Sequence, residues 1–342
     1  MSISKKLWGN WKGREVYLFR LENAHGYYVE LSNYGATIVS VNVPDKQGRL
    51  QNVVLGFNSL DGYLQDDCYI GGTIGPFANR IANARFTLDG SEYLLEANDG
   101  ANTNHSASAG FNNKLFDYVI KDDVLTFKYL SVDMDGGYPG NLDFCVIYHW
   151  TVDNELKITY RATTDKKTVV NFTNHAYFNL SGTSKKIFDH RLTVHSDKVV
   201  EADDDYIPTG EIIPTSDLSF DDTRIADRMT GLESHIKGLN VCYALEVHAS
   251  KEEQCAAVLY ESVSARKLTV YTTFPGLMLY TGAYLSSGTP GNQHVNYEAF
   301  DGLCLECQYF PDSPNHAHFP STVLLPDELF EEKITYKFST QQ

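Results

Sequence analysis

The sequence predicts an all-β protein, a large antiparallel β-sandwich with few short helices. Three observations carry this: period-2 alternation in most patterned segments, turn residues at short intervals between them, and scarce helical patterning. In residues 156–162, Leu156, Ile158, Tyr160 and Ala162 share one face, while Lys157, Thr159 and Arg161 share the other. Residues 125–129 and 267–273 repeat the pattern. Successive side chains of a strand point to opposite faces, so this alternation marks strands with one packed and one wet side. Turn signals at 45–48, 89–90, 135–137, 153–154, 181–182 and 286–288 separate the strands. Only 59–64 and 221–235 predict helices, the second opening on Asp221 and Asp222, carboxylates that suit a helix N-terminus. Strands and helices do not alternate, so a doubly wound parallel sheet is disfavoured. No repeat, low-complexity tract or Pro/Gly-rich linker divides the chain, and residues 1–342 are expected to form a single domain. A chain of this length can bury a sizeable core without disulfide staples.

Composition removes several functions. Lys and Arg number 28 against 44 Asp and Glu, a formal charge of −16. That balance repels nucleic-acid backbones and anionic membranes, so no nucleic acid and no membrane is expected as a partner. No apolar stretch approaches the roughly 18 residues that a spanning helix needs. The first residues, Met1 to Trp8, show no secretory h-region, and a cytoplasmic location is expected. The six cysteines then read as reduced, mostly buried thiols. Cys304 and Cys307 have CxxC spacing, but no second such pair exists, and strand geometry points them to opposite faces. Metal is therefore not expected. The acidic run from Glu201 to Asp205 reads as a solvated loop.

Four clusters hold polar groups that a plain sandwich does not require. Arg80, in the Gly-rich segment 71–86, offers a planar fork of donors suited to sugar hydroxyls or carboxylates; the plain alternative is an ion pair with an acid. His105, in a polar loop, is a neutral hydrogen-bonder, an acid–base group or an ordinary exposed side chain. His175 lies in a strand-like run beside Asn174, Tyr177 and Asn179. Burying an imidazole there demands partners for both nitrogens and tunes its pKa, whether for catalysis or as a satisfied core histidine. Glu306 is a carboxylate in the apolar strand 303–307, costly unless paired or used, and so the best general-base candidate. Asp312, Asn315 and His316 read as turn formers around two prolines. No nucleophile elbow, phosphate loop or dinucleotide fingerprint competes.

Five segments resemble one family, the aldose 1-epimerases or mutarotases. Residues 75–86 (GPFANRIANARF) resemble its G-R-Y-A-N-R-I-A segment, and 133–141 (DMDGGYPGN) its glycine-rich turn. Residues 171–180 (NFTNHAYFNL) resemble N-x-T-N-H-x-Y-F-N-L, while 272–282 and 305–315 match two later segments in the same order. The resemblance implies a sandwich of the galactose mutarotase kind, no metal or organic cofactor, and a small-molecule sugar substrate such as galactose or glucose. By position it makes Glu306 the general base that takes the anomeric hydroxyl proton and His175 the general acid at the ring oxygen. Asn79, Arg80 and His105 would hold the sugar, with Tyr177, Phe274 and Phe77 lining the pocket. The sequence departs from the family at Ser106 and Ala107, at Asn240 where an aspartate is usual, and at Phe274 where a glutamine is common. Those departures leave three alternatives: an acidic sugar, a sugar phosphate or a disaccharide as substrate, with a non-catalytic carbohydrate-binding protein beyond them. A monomer or homodimer is expected.

Overall fold

The computed structural model describes residues 1–230, 237–246 and 252–341. Three antiparallel sheets dominate the described residues, with five, nine and six strands. The five-stranded sheet is a meander of Ser2–Trp11, Arg14–Glu22, Tyr28–Ser32, Thr37–Pro44 and Leu50–Asn52. The nine-stranded sheet has Glu155–Thr164 near its centre, paired on one side with Leu142–Trp150 and on the other with Phe330–Thr340. Its Leu156, Ile158, Tyr160 and Ala162 are buried and its Lys157 and Arg161 exposed, as the alternation predicts.

The six-stranded sheet runs in the order Tyr177–Phe178, Leu303–Gln308, Gly276–Tyr280, Asn240–Ala244, Lys198–Ala202, Pro208–Pro214. One continuous core joins the sheets: Phe19 and Leu31 from the first, Phe144, Tyr160 and Tyr336 from the second, Leu277, Leu305 and Cys307 from the third. Each such fully buried side chain contributes about 1.5–3 kcal/mol relative to exposure. All six residues of Leu303–Gln308 are buried. Period 2 sorts them: Leu303, Leu305 and Cys307 enter the main core, while Cys304 and Glu306 face the other way, toward the site. The two cysteines of the CxxC pair therefore do lie on opposite faces, and all six cysteines are unpaired thiols.

The helical expectation at 59–64 is met by Leu60–Leu64. That at 221–235 needs correction. Thr223–Arg224 is drawn into the edge of the nine-stranded sheet against Arg191 and Leu192, so the helix begins only at Ile225. It runs Ile225–Met229 and stops where Thr230 turns extended (φ −73°, ψ 124°); residues 231–235 lie outside the described residues. No helix among the described residues is long and apolar enough to cross a membrane.

Candidate active site

A cavity of about 690 Å³ opens over the outer face of the six-stranded sheet, with Glu306 and Asn240 among the residues lining it. Three short pairings set its walls. Thr73–Ile74 pairs with Thr173–Asn174, which brings His175 against the 71–72 turn. There the His175 amide donates to the Gly72 carbonyl at 2.9 Å, and the Gly71 amide donates to the His175 carbonyl at 3.0 Å. Gly71 has φ +69°, and a Cβ at that position would stand 2.1 Å from the Ile38 carbonyl oxygen, so no other residue fits. Arg80–Ile81 pairs with Thr103–Asn104, placing Arg80 beside His105. Tyr177–Phe178 pairs with Leu303–Gln308, bringing Tyr177 opposite Cys304.

Glu306 is 2% exposed and His175 4%. Nε2 of His175 lies 3.7 Å from Oε1 of Glu306, and Sγ of Cys304 lies 3.5 Å from its Nδ1. Burial drives both catalytic candidates toward their neutral forms. It raises the Glu306 carboxyl to about 8, with Arg80 pulling weakly the other way, and lowers His175 to about 4. Among the described residues Oε2 of Glu306 has no hydrogen-bond partner, an expensive state that a hydroxyl in the cavity would relieve.

His105 resolves among its three readings as a buried hydrogen-bonder. The Asn79 amide donates to its Nδ1 at 3.1 Å, and its own amide donates back to the Asn79 carbonyl. An accepting Nδ1 puts the ring proton on Nε2. The ring stays neutral chiefly because it is buried, helped by nearby His175 and Arg80. Arg80 resolves as both of its readings at once: its Nε donates to Asp99 at 2.7 Å, its guanidinium lies 5.0 Å from the Tyr206 ring centre, and it still lines the cavity. Tyr177 donates its hydroxyl to the Cys68 carbonyl and packs 5.1 Å from the His175 ring. His105, His175 and Glu306 bring donor atoms within 4.8 Å of one another. For His105 to bind an ion there through Nε2, it would first have to lose that nitrogen's proton.

Two expected pocket residues are elsewhere. Phe274 is wholly buried in the bend between Arg266–Thr272 and Gly276–Tyr280, packed edge-on against Tyr160 and Tyr309 in the core; it does not line the cavity. Phe77 belongs to a separate core cluster with Phe86 and Tyr138. Ser106 is likewise structural, since its hydroxyl accepts from the Phe77 amide and lies 3.2 Å from the Tyr138 hydroxyl. Asp312 is a turn former, with φ +54°, and it also accepts from the Ala82 amide, tying down the Arg80 segment. Asp203, Asp204 and Asp205 are exposed as expected but border the cavity mouth. Beside them Tyr206 and Tyr284 meet hydroxyl to hydroxyl at 3.0 Å. Nothing in the local sequence pattern marked Asp99, Tyr206 or Tyr284, which reach the site from connections between strands, Tyr206 from the tight turn between Lys198–Ala202 and Pro208–Pro214.

A strand-built pocket that buries a carboxyl beside an imidazole, with a neutral histidine and a tethered arginine in its wall, defines an acid–base site. The comparisons place it: residues 17–337 match the family described as Aldose 1-epimerase, and the chain belongs to that family. It is 40% identical over 314 residues to the galactose mutarotase of Bos taurus, covering 91% of each chain. It is 35% identical over 334 residues to the aldose 1-epimerase of Escherichia coli K12, covering 95% of this chain and 96% of the other. The crystal structure of an aldose epimerase homologue from C. elegans superposes with a TM-score of 0.89 at 28% identity, over 95% of this chain and 99% of that one.

Proposed function

We infer that the protein is an aldose 1-epimerase, an isomerase that interconverts the α- and β-anomers of an aldose by opening and reclosing the pyranose ring. The single observation that carries the chemistry is the buried Glu306–His175 pair at the cavity floor. In the proposed cycle Glu306 takes the proton from the anomeric O1 hydroxyl as the C1–O5 bond breaks. His175 gives a proton to O5, the open aldehyde turns about C1–C2, and closure on the other carbonyl face exchanges the two roles. Burial leaves the shared proton on Glu306 in the empty site. The working arrangement, carboxylate beside imidazolium, follows its passage to His175, with sugar hydroxyls supplying the bonds that Glu306 Oε2 lacks. Asn79, Arg80, His105, Tyr177 and Asn240 are proposed to hold the sugar.

The charges around the cavity favour a neutral sugar. Among the described lining residues Arg80 is the lone Lys or Arg, against Asp67, Asp99, Asp203, Asp204, Asp205 and Glu306. A sugar phosphate or uronic acid would meet repulsion there. The six unpaired thiols support a reducing, cytoplasmic setting. The family match over residues 17–337 supports one domain spanning 1–342. Polarimetry of freshly dissolved α-anomers tests the reading. Neutral aldoses should relax faster with the protein than without it, whereas a purely binding protein leaves every rate unchanged.

A further inference from the structure

Cys304 and Glu306 are two residues apart on one strand, so their side chains share a face, and the ring of His175 spans the space between them. One ring nitrogen faces the carboxyl; the other has the thiol as its hydrogen-bond contact, at 3.5 Å. We propose that Cys304 is a positioning residue whose thiol holds Nδ1 of His175 in both protonation states of the ring while Nε2 handles the proton. The inference rests on the reading of His175 as the group that gives and recovers a proton in each cycle.

The chemistry of the thiol is what suits it to the place. Cys304 is wholly buried, and burial, followed by the nearby carboxyl of Glu306, keeps it as S–H. When Nε2 has given up its proton, the neutral ring keeps its other proton on Nδ1, and Nδ1–H donates to the sulfur lone pair. With the ring cationic, Nδ1–H donates to the sulfur lone pair. A carboxylate there would hold the ring permanently charged, whereas a neutral thiol accepts weakly from Nδ1–H in both states of the ring. The other ionisable groups around the ring are Glu306 on the same strand, His105 at 5.3 Å between ring centres, and the phenols Tyr69, Tyr177 and Tyr280. Arg80 acts on the neighbours, opposing the rise at Glu306 and disfavouring charge on His105. Among the described residues, none of these side chains hydrogen-bonds Nδ1 of His175; besides the thiol, a backbone hydrogen bond within His175 itself opposes the fall of its pKa.

The test compares Cys304→Ala and Cys304→Ser in the full-length protein. Anomer-exchange NMR with galactose gives kcat, KM and the pH dependence, and ¹⁵N NMR of the histidines gives the tautomer and titration midpoint of His175. Alanine strands the cationic Nδ1–H in a buried site, so the His175 midpoint and the acid limb of kcat should both move to lower pH. kcat should drop by on the order of tenfold, equivalent to about one pKa unit, with KM nearly unchanged. Serine, whose hydroxyl oxygen also accepts from Nδ1–H, should restore most of the rate and the limb. A wild-type limb and an unchanged ¹⁵N pattern in Cys304→Ala overturn the proposal. So does equal loss in both variants with no movement of the limb, which would make Cys304 packing only. If the wild type turned over no sugar, the mutarotase reading would fall, while the ¹⁵N comparison would still decide the contact.

Discussion

Nε2 of His175 lies 3.7 Å from Oε1 of Glu306, and both side chains are buried. Each is pushed toward neutrality by the same cause, loss of water, but in opposite titration directions. The pair therefore carries one proton over a wide pH range, which is the stoichiometry a reversible proton shuttle needs.

That range is measurable. Since burial lowers His175 to about 4 and raises Glu306 to about 8, kcat/KM should be flat between those values and fall on either side. Below the lower value the pair is doubly protonated; above the upper it is empty. The limbs belong to the pair as a unit. A profile with a single limb near pH 6.5, where an ordinary histidine titrates, would contradict the shared-proton account.

Glu306 also costs stability at high pH. Its folded pKa of about 8 exceeds its ordinary value of 4.5, so the native state binds more protons than the unfolded state between those values. Its contribution is most favourable below the lower value and is lost as pH rises through the upper one. Glu306→Gln removes the penalty, and should be more stable than wild type at pH 9 by on the order of a few kcal/mol. The two should converge near pH 4.5, as read by thermal or denaturant unfolding.

Asp99 fixes the Arg80 guanidinium at 2.7 Å. Asp99→Asn should leave kcat close to wild type and raise KM several-fold, because the arginine keeps its charge but loses its aim. Arg80→Lys should raise KM further, since a lysine cannot reproduce the fork. Steady-state kinetics separate the two.

Asn240 and Phe274 were both departures from the family pattern, yet they should behave oppositely. Asn240 lines the cavity, so Asn240→Asp, which restores a charged acceptor, should lower KM for galactose with little effect on stability. Phe274 is sealed in the core, so Phe274→Ala should destabilise by about 3–5 kcal/mol. Saturating-sugar activity of the folded fraction should survive. A change in sugar preference in Phe274→Ala would contradict its placement.

Much of this architecture was legible from the sequence. Period 2 in residues 156–162 correctly gave the buried face of a central strand, because strand alternation depends only on local geometry. The same rule separated Cys304 from Cys307 and marked Glu306 as a carboxyl in apolar surroundings. Phe274 misled because the family pattern identifies a sequence position, whereas the direction of this side chain is set by the bend between Arg266–Thr272 and Gly276–Tyr280, where its amide donates to the Thr272 hydroxyl. Asp99, Tyr206 and Cys304 were invisible as site residues, since each gains its role from a partner far away in the chain: Arg80 for the first two, His175 for the third. The helix expected at 221–235 lost its first turn to an edge pairing that no local signal encodes.

The central claim is that Glu306 and His175 open the sugar ring together. Exchange NMR on α-galactose at pH 6, comparing wild type with Glu306→Gln, tests it most directly. The account predicts that wild type interconverts the anomers and that Glu306→Gln, still folded and still binding galactose, is slower by on the order of 10²–10⁴-fold. Exchange in Glu306→Gln at the wild-type rate would contradict it.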